Sequence, residues 1–430
     1  MSWKRPGITP YYTTTRTKRL SLAAFCLAAL VLATPAWGRS PIADRAGRLA
    51  AEDIVSSMDV PSLLGQTLIL ARHYEEGEPV RRLSPAFEEQ MLAVRPGGVI
   101  LYGVNFDTVE QVTSFVTDLQ ATSTLPLMVA VDQEGGLVNR LDDSENFGAT
   151  TIPSASAVGR AGSLELAYEV GRLIGRELRA LGIVVSFGPV ADVFSPSLHE
   201  TRFFSTEPDT TGTFAAEVVR GTQAEDVAAV VKHFPGLGGA ADDTHHDLPV
   251  VEDPLEVVMG RDIAPFVTTF QAGAAGVMTG HVSVPALDES GDPATVSAPI
   301  LSDLLRDELD FDGLVVTDAL GMGGVAGSLT EAEAAVRALA AGADMLLTPG
   351  RPLSLIEHLE AAVEAGDLDV EVLRDRVQRI IYTKLRLGLF SDPLILNPSA
   401  EAASEIIGSE EHWAITNAVY EAARNGGVGE

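Results

Sequence analysis

Residues 311–322 read Phe-Asp-Gly-Leu-Val-Val-Thr-Asp-Ala-Leu-Gly-Met, and this stretch indicates the class of fold. Its apolar centre, residues 314–316, has the composition of a buried parallel strand, and Asp318 follows shortly after it. In folds that alternate strands and helices, side chains at the carboxyl ends of the strands form the site of chemistry. We therefore expect Asp318 to lie at such a site.

Two other apolar runs end in polar residues in the same way. Residues 127–131 lead into Asp132, and residues 227–231 lead into Lys232 and His233. Because the carboxyl ends of parallel strands meet at one edge of a sheet, these side chains are expected to lie close together. Three strands with the same design predict an enzyme.

Eight β-rich runs alternate with longer amphipathic segments along the chain. The predicted strands are residues 67–71, 98–102, 127–131, 183–187, 228–231, 276–279, 313–317 and 344–347. Eight strands that are each followed by a helix predict an α/β fold, a single (β/α)8 barrel of the TIM type. An open, doubly wound sheet is the alternative. We expect the barrel at residues 61–392, between a linker and leading helix at 39–60 and a C-terminal helical extension at 393–430.

Composition narrows the class of partner. The chain has 430 residues and a formal net charge of −30, which argues against nucleic acid and anionic membrane surfaces. The simplest role of this charge is to keep the protein soluble. No obligate protein partner is indicated, and we expect a monomer.

Residues 1–38 are predicted to be an export signal rather than part of the fold. A basic stretch at 16–19 precedes an apolar stretch at 20–33, and a segment composed of small residues apart from Trp37 follows at 34–38. We therefore expect a secreted or periplasmic protein. A signal retained as a membrane anchor is the alternative, although a span needs about 20 apolar residues. The single cysteine, Cys26, lies in this segment, so the mature protein is expected to have no disulfide and no cysteine-bound metal.

The loop after the fifth strand contains a candidate acid/base pair. Its first half is rich in Gly and Ala, and its second half holds Asp243 and His245, two positions apart. In an extended segment these side chains point the same way, so the carboxylate can orient the imidazole for general acid/base catalysis near neutral pH. The alternative is a solvated polar loop with incidental histidines.

The remaining candidates suit a carbohydrate. Asp132 can accept hydrogen bonds from two hydroxyl groups, and Lys232 can donate to hydroxyls or form a structural salt bridge. Arg202, in the loop after the fourth strand, would by itself be taken for a surface arginine. Asp318 is a candidate nucleophile: its attack on a sugar carbon would form a covalent intermediate, while His245 protonates the leaving oxygen.

These motifs together resemble glycoside hydrolase family 3, in its single-barrel β-N-acetylglucosaminidase branch. The resemblance covers about residues 60–392, and its motifs occur in the family's order. They are Asp-Gln-Glu-Gly-Gly at 132–136, Lys-His-Phe-Pro-Gly at 232–236, Asp-Thr-His at 243–245 and Val-Thr-Asp-Ala-Leu-Gly-Met at 316–322. Any one of them is weak evidence, whereas the ordered set is specific.

The resemblance implies a retaining exo-acting hydrolase that removes terminal β-linked N-acetylglucosamine and needs no cofactor. It implies that Asp318 is the nucleophile and His245 the acid/base, with Asp243 as its orienting partner. The positions that match the family's sugar-binding residues are Asp132, Arg140, Arg202, Lys232 and His233. Cell-wall fragments and chitin-type oligosaccharides both remain open as substrates.

Three positions depart from the family's pattern. Leu237 and Gly239 stand where the family has His and Asp, and Leu137 stands where it has Arg. None of these changes removes a proposed catalytic group, but they bear on loop closure and on the subsite beyond the first sugar.

Four alternatives remain open at the level of sequence. The protein could be a family 3 β-glucosidase, or a phosphorylase, since a neutral imidazole does not repel incoming phosphate as a carboxylate would. It could be a sugar-binding barrel without catalysis. It could also be a metal-dependent hydrolase, although no His-x-His pair occurs; the candidate ligands are His233, His245, His246, His281 and Asp318.

Overall fold

The computed structural model describes residues 41–142, 144, 146–193, 199–240, 248–326, 329–348 and 350–426. Eight parallel strands form one sheet in this part of the chain. They are β1 (Leu68–Ala71), β2 (Gly98–Leu101), β3 (Met128–Val131), β4 (Val185–Val190), β5 (Ala228–Phe234), β6 (Gly276–Thr279), β7 (Leu314–Thr317) and β8 (Leu346–Thr348). All eight predicted strands are confirmed, and β4 and β5 run three residues further than expected.

The order of strands in the sheet follows their order in the sequence, and the last strand pairs with the first. The order is β7-β6-β5-β4-β3-β2-β1-β8, so every neighbour is consecutive except where β1 pairs with β8. A parallel bridge between Val316 and Met345 brings β7 and β8 together, and the Thr317 N–H donates to the Met345 carbonyl over 2.9 Å. The sheet therefore forms a nearly closed barrel, and the alternative of an open sheet is wrong.

Helices lie between the strands and after the last of them. The described helices are α1 (Pro41–Ser56), α2 (Val60–Gln66), α3 (Pro85–Val94), α4 (Val109–Thr122), α5 (Ala155–Ala161), α6 (Leu164–Ala180), α7 (Pro208–Ala224), α8 (Leu255–Val257, Val258–Ile263 and Ala264–Gln271 in succession), α9 (Pro299–Glu308), α10 (Gly323–Ala326), α11 (Glu331–Ala341), α12 (Pro352–Ala365), α13 (Val370–Arg386), α14 (Pro393–Leu396), α15 (Ala400–Ile406) and α16 (Glu410–Gly426). Several begin at a capping side chain: Ser163 accepts from the Leu166 N–H, and Thr330 forms a capping box with Glu333.

The alternation of side chains along the strands produces two apolar layers. One lies between the strands and the outer helices, and the other fills the barrel, where Ile69, Ile100 and Met128 are buried. The inner layer includes Ile381 of α13 and Val55 of α1. These two helices therefore cover the barrel at the amino ends of its strands, and the opposite end is left for the loops.

The C-terminal helix α16 is fixed to the barrel wall by a buried polar group. His412 Nδ1 lies 3.0 Å from Oε1 of Glu177 on α6, and both side chains are 1% exposed. The same carboxylate accepts from the Thr150 hydroxyl and the Gly408 N–H. Buried polar groups need such partners, so α16 is a fixed part of this structure.

Among the described residues, no helix has the length and apolar composition needed to cross a membrane. The predicted export signal at residues 1–38, with Cys26, lies outside the described residues.

Candidate active site at the carboxyl end of the barrel

Lys232 lies at the centre of the charged groups in the barrel mouth. It lies near the carboxyl end of β5, and its side chain is 4% exposed. Its Nζ donates to Oδ1 of Asp132 over 2.6 Å and to Oε1 of Glu134 over 2.7 Å. The two carboxylates neutralise the buried cation. Removal of the lysine or of the carboxylates would leave the remaining charge without its partner. Lys232 thus holds both carboxylates in place.

Glu134 also binds Arg202 with both oxygens. The two guanidinium nitrogens of Arg202 donate to Oε2 and Oε1 of Glu134, each over 2.9 Å. Burial alone would raise the pKa of Glu134, but Lys232 and Arg202 lower the pKa to about 2. The carboxylate is therefore ionised, and the planar fork gives Arg202 one fixed orientation. Arg202 is a part of the mouth rather than a surface arginine.

His233 is oriented by a fully buried carboxylate, Asp192. The His233 ring Nδ1 lies 2.7 Å from Oδ2 of Asp192, which also accepts the His233 backbone N–H over 3.0 Å. The second oxygen of Asp192 accepts the Leu237 N–H over 2.9 Å. Because a carboxylate can only accept, Nδ1 carries the hydrogen, and the ring presents Nε2 as its second polar atom.

Asp318 follows β7 and is partly exposed at the mouth. Its Oδ1 accepts the Ala319 N–H over 2.7 Å. Burial alone would raise the pKa of Asp318, but attraction by His281 and His233, the Ala319 N–H and Lys232 together hold the pKa below its ordinary value. The side chain is therefore a carboxylate, the state that a nucleophile requires.

Arg140 lies on the side of the mouth formed by β1 and β2. The rings of His73 and Tyr102 pack there with centroids 3.9 Å apart. Burial, Asp132 and Asp318 raise the pKa of the Tyr102 phenol, while Arg140 acts in the opposite direction. Burial and then Arg140 lower the pKa of His73. Arg140 is thus within electrostatic reach of both rings, and Tyr102 is within reach of the two carboxylates.

The structure brings five predicted site residues to one end of the barrel together with Arg140. They are Asp132, Arg202, Lys232, His233 and Asp318. The predicted acid/base His245 and its partner Asp243 lie outside the described residues. Their roles stay predictions.

The departures from the family's pattern differ in their surroundings. Leu237 is 4% exposed and belongs to the outer apolar layer, so an apolar residue suits its position. Leu137 is 59% exposed at the tip of a short hairpin that follows β3.

Two site residues, Glu134 and Asp192, were missed by the sequence analysis. Glu134 is in the quoted motif at 132–136, two positions after Asp132, and so points the same way along an extended chain. Asp192 lies five positions after the predicted end of the fourth run at residue 187, because β4 extends to Val190. The rule that singled out Asp318 would have found Asp192 only with the observed end of the strand.

The metal alternative gains no support from the described part of the chain. No group of three or more His, Cys, Asp or Glu side chains is arranged there to hold a metal ion. Both ring nitrogens of His281 lie within hydrogen-bond distance of protein oxygens, namely those of Thr295 and Ala319. His245 and His246 lie outside the described residues.

Several known proteins have sequences similar to that of this chain. The model of the glycosyl hydrolase family 3 N terminal domain matches residues 66–383. Beta-hexosaminidase A of Pseudoalteromonas piscicida is 32% identical over 393 residues, which is 81% of this chain and 64% of that protein. The beta-hexosaminidase of Methylococcus capsulatus is 36% identical over 288 residues, 65% of this chain and 84% of that one.

Solved structures show the same relationship. The glycoside hydrolase family 3 beta-N-acetylglucosaminidase from Paenibacillus sp. FPU-7 superposes with a TM-score of 0.77 at 32% identity, over 85% of this chain and 69% of that one. NagZ from Neisseria gonorrhoeae, solved in complex with N-trifluoroacetyl-D-glucosamine, has a TM-score of 0.67 at 27% identity, over 83% of this chain and 98% of that one. The family model covers most of the barrel and the motifs that form its mouth, and the chain belongs to glycoside hydrolase family 3.

Proposed function

We propose that this protein is a retaining exo-β-N-acetylglucosaminidase that acts on terminal β-linked N-acetylglucosamine of cell-wall or chitin-type saccharides. The observation that carries the proposal is the ionised Asp318 at the end of β7, in one mouth with the Lys232–Asp132 pair. Relatives named beta-hexosaminidase and beta-N-acetylglucosaminidase support the choice of sugar.

The reaction proceeds in two displacements. An Asp318 oxygen attacks C1 of the sugar and forms an ester, the glycosidic C–O bond breaks, and His245 gives a proton to the departing oxygen. His245 then removes a proton from water, which attacks C1 and releases Asp318. Two inversions leave the β-configuration of the sugar unchanged.

The other charged residues bind the sugar rather than react with it. Asp132 accepts hydrogen bonds from sugar hydroxyls, and Lys232 and Arg202 keep their fixed positions through Glu134. Because these groups are already paired with and oriented by each other, little reorganisation is needed when the sugar binds.

Substitution of the nucleophile tests the proposal most directly. Asp318→Asn should lower kcat for 4-nitrophenyl β-N-acetylglucosaminide by about 10³-fold or more, because the amide cannot form the ester. Asp312→Asn is the matched control, since Asp312 precedes the same strand at the opposite end and is 59% exposed. Turnover of Asp318→Asn near that of the control would refute the proposed nucleophile.

The acid/base is tested by the choice of leaving group. His245→Ala should lower kcat/KM for chitobiose by about 10²–10⁴-fold but kcat/KM for the nitrophenyl glycoside much less, because kcat/KM reports the first displacement and nitrophenolate leaves without a proton. Equal losses on both substrates would argue against His245 as the acid. A separate assay with and without phosphate tests the phosphorylase alternative. Formation of sugar-1-phosphate when phosphate is present would show that the reaction is phosphorolysis rather than hydrolysis.

The proposal includes export, on the strength of the pattern in residues 1–38. Fractionation of cells that express the full chain should place the activity outside the cytoplasm. Activity that remains in the cytoplasmic fraction, with an unprocessed N-terminus, would contradict it.

A further inference from the structure

A chain of hydrogen bonds, buried at its β6 end, runs from β6 to the proposed nucleophile. His281 follows β6, is fully buried, and has its Nε2 3.0 Å from the Ala319 carbonyl oxygen. The N–H of the same residue, Ala319, donates to Oδ1 of Asp318 over 2.7 Å. The imidazole and the carboxylate therefore bind Ala319 through its backbone carbonyl and N–H.

The other side of the His281 ring is also fixed. Nδ1 lies 2.8 Å from the Thr295 hydroxyl, which lies 2.9 Å from the hydroxyl of Thr279 at the end of β6. Thr279 and Thr295 are fully buried. A carbonyl oxygen can only accept, so the ring nitrogen that faces Ala319 carries a hydrogen. The ring thus cannot rotate without loss of buried hydrogen bonds.

We propose that His281 is a positioning residue, which sets the direction of the Asp318 carboxylate by holding the Ala319 backbone, and that Thr295 fixes the His281 ring for this purpose. The inference rests on the proposed role of Asp318 as nucleophile. A nucleophile must meet C1 within a narrow range of distance and angle, and a displacement of about 1 Å can cost on the order of 10²-fold in rate.

Electrostatics act in the same direction. Burial would raise the pKa of Asp318, and His281 is the strongest of the groups that oppose this effect. No sugar contact is assigned to His281. Its loss should therefore affect the step in which Asp318 reacts and leave sugar binding unchanged.

The test compares two threonine substitutions of the same kind. Thr295→Val removes the hydroxyl next to His281, and Thr348→Val is the matched control. Thr348 is 1% exposed at the end of β8, and its hydroxyl donates only to the Ile69 carbonyl among the contacts seen in the described residues. Both replace a buried hydroxyl with a methyl group.

We expect Thr295→Val to lower kcat for the nitrophenyl glycoside about 10-fold and His281→Leu about 10²-fold. The inhibition constant of N-acetylglucosamine should stay within about 2-fold of its original value in both variants. Labelling of Asp318 by an activated 5-fluoro-N-acetylglucosaminide, followed by mass spectrometry, should slow by the same factors as kcat. His281→Gln, which keeps a donor near Ala319, should recover part of the loss.

The outcomes separate the inference from the function on which it rests. If Asp318→Asn is inactive while Thr295→Val and Thr348→Val label equally fast, His281 does not position the nucleophile and the proposed function stands. If Asp318→Asn stays active, the proposed function fails first. A rise in the inhibition constant that matches the fall in kcat would overturn the positioning role, and the threonine pair decides the question even if His281→Leu does not fold.

Discussion

The two ends of the barrel contain inverted versions of the same charge arrangement. At the carboxyl end, a lysine lies between two carboxylates, Asp132 and Glu134. At the amino end, Asp344 lies between two guanidinium groups, with Arg306 at 2.7 Å and Arg379 at 3.0 Å. Both central groups, Lys232 and Asp344, are buried, so each depends on its protein partners rather than on water to stabilise its charge. The difference between the ends lies in what surrounds them.

The amino end is closed. Asp344 also accepts the Val315 N–H, and Arg306 donates to the Phe311 and Gly313 carbonyls, so the group binds the backbone on both sides of the turn into β7. Arg379 belongs to α13, which covers this end. At the carboxyl end the Asp132 side chain is still 17% exposed and can exchange partners with a sugar. The comparison shows that burial with backbone partners stabilises the fold, whereas partial exposure suits binding.

The largest effect is expected for Lys232→Met. The buried Glu134 and the partly exposed Asp132 would lose their shared cation, which should cost about 3–5 kcal/mol in the free energy of unfolding. The kcat/KM should fall at least about 10³-fold because the sugar-binding carboxylates lose their positions. Urea unfolding and steady-state kinetics measure the two losses. If the variant is destabilised but fully active, the charged group in the mouth stabilises the fold, as at the amino end, and does not serve sugar binding.

Asp344→Ala should destabilise the fold by a similar amount without a catalytic defect. It removes the carboxylate that Arg306 pairs with in the described part of the chain, at a cost of about 3–5 kcal/mol, while Arg379 keeps its ion pair with Asp375. The kcat/KM of the folded fraction should stay within about 2-fold, since the change lies at the closed end. Asp312→Ala is the control: its 59% exposed salt bridge to Arg48 should contribute less than about 1 kcal/mol. A specific loss of activity in Asp344→Ala would show that the two ends are coupled.

Lys384 makes the amino end sensitive to pH. It is fully buried, its Nζ donates to Gln66 Oε1 over 2.6 Å, and burial lowers its pKa to about 7. Between pH 7 and 10.5 the unfolded chain binds more protons than the folded chain at this position. Stability therefore rises with pH over this range, by on the order of 4 kcal/mol from this group.

Lys384→Met should remove that rise. The measurement is the difference between the unfolding free energies at pH 7 and at pH 9.5, which should shrink in the variant. An equal difference in both proteins would mean that Lys384 does not titrate in this range.

Glu134 gives the carboxyl end a dependence of the same sign, with stability rising with pH, but in a more acidic range. Its folded pKa of about 2 lies below its ordinary value of 4.5, so its stabilisation is complete above pH 4.5 and is lost as the pH falls towards 2. This contribution is on the order of 3 kcal/mol. In Glu134→Gln the loss of stability between pH 5 and pH 3 should be smaller than in the original protein. If the loss of stability between pH 5 and pH 3 is the same in both proteins, other carboxylates are responsible for acid unfolding.

Much of the barrel could be predicted from sequence because its strands are continuous apolar runs. Such runs can be recognised from the local sequence, without knowledge of long-range contacts. The same holds for Asp132, Lys232 and Asp318, since each stands directly after such a run. The pairing of Glu134 with Arg202, 68 positions later, could not be predicted, because it depends on how two loops meet. The position of α13 under the barrel could not be predicted either, because it depends on long-range packing.

The position of α1 decides how the molecule would face its surroundings if it were tethered. Asp44 and Arg48 of this helix contact Tyr382 and Asp312 beneath the strands, so the polypeptide joins the barrel at the end away from its mouth. A lipid, a resin or a sensor surface attached ahead of Pro41 would leave the opening turned towards the medium. Immobilisation through the N-terminus should therefore preserve access for large, insoluble polymers.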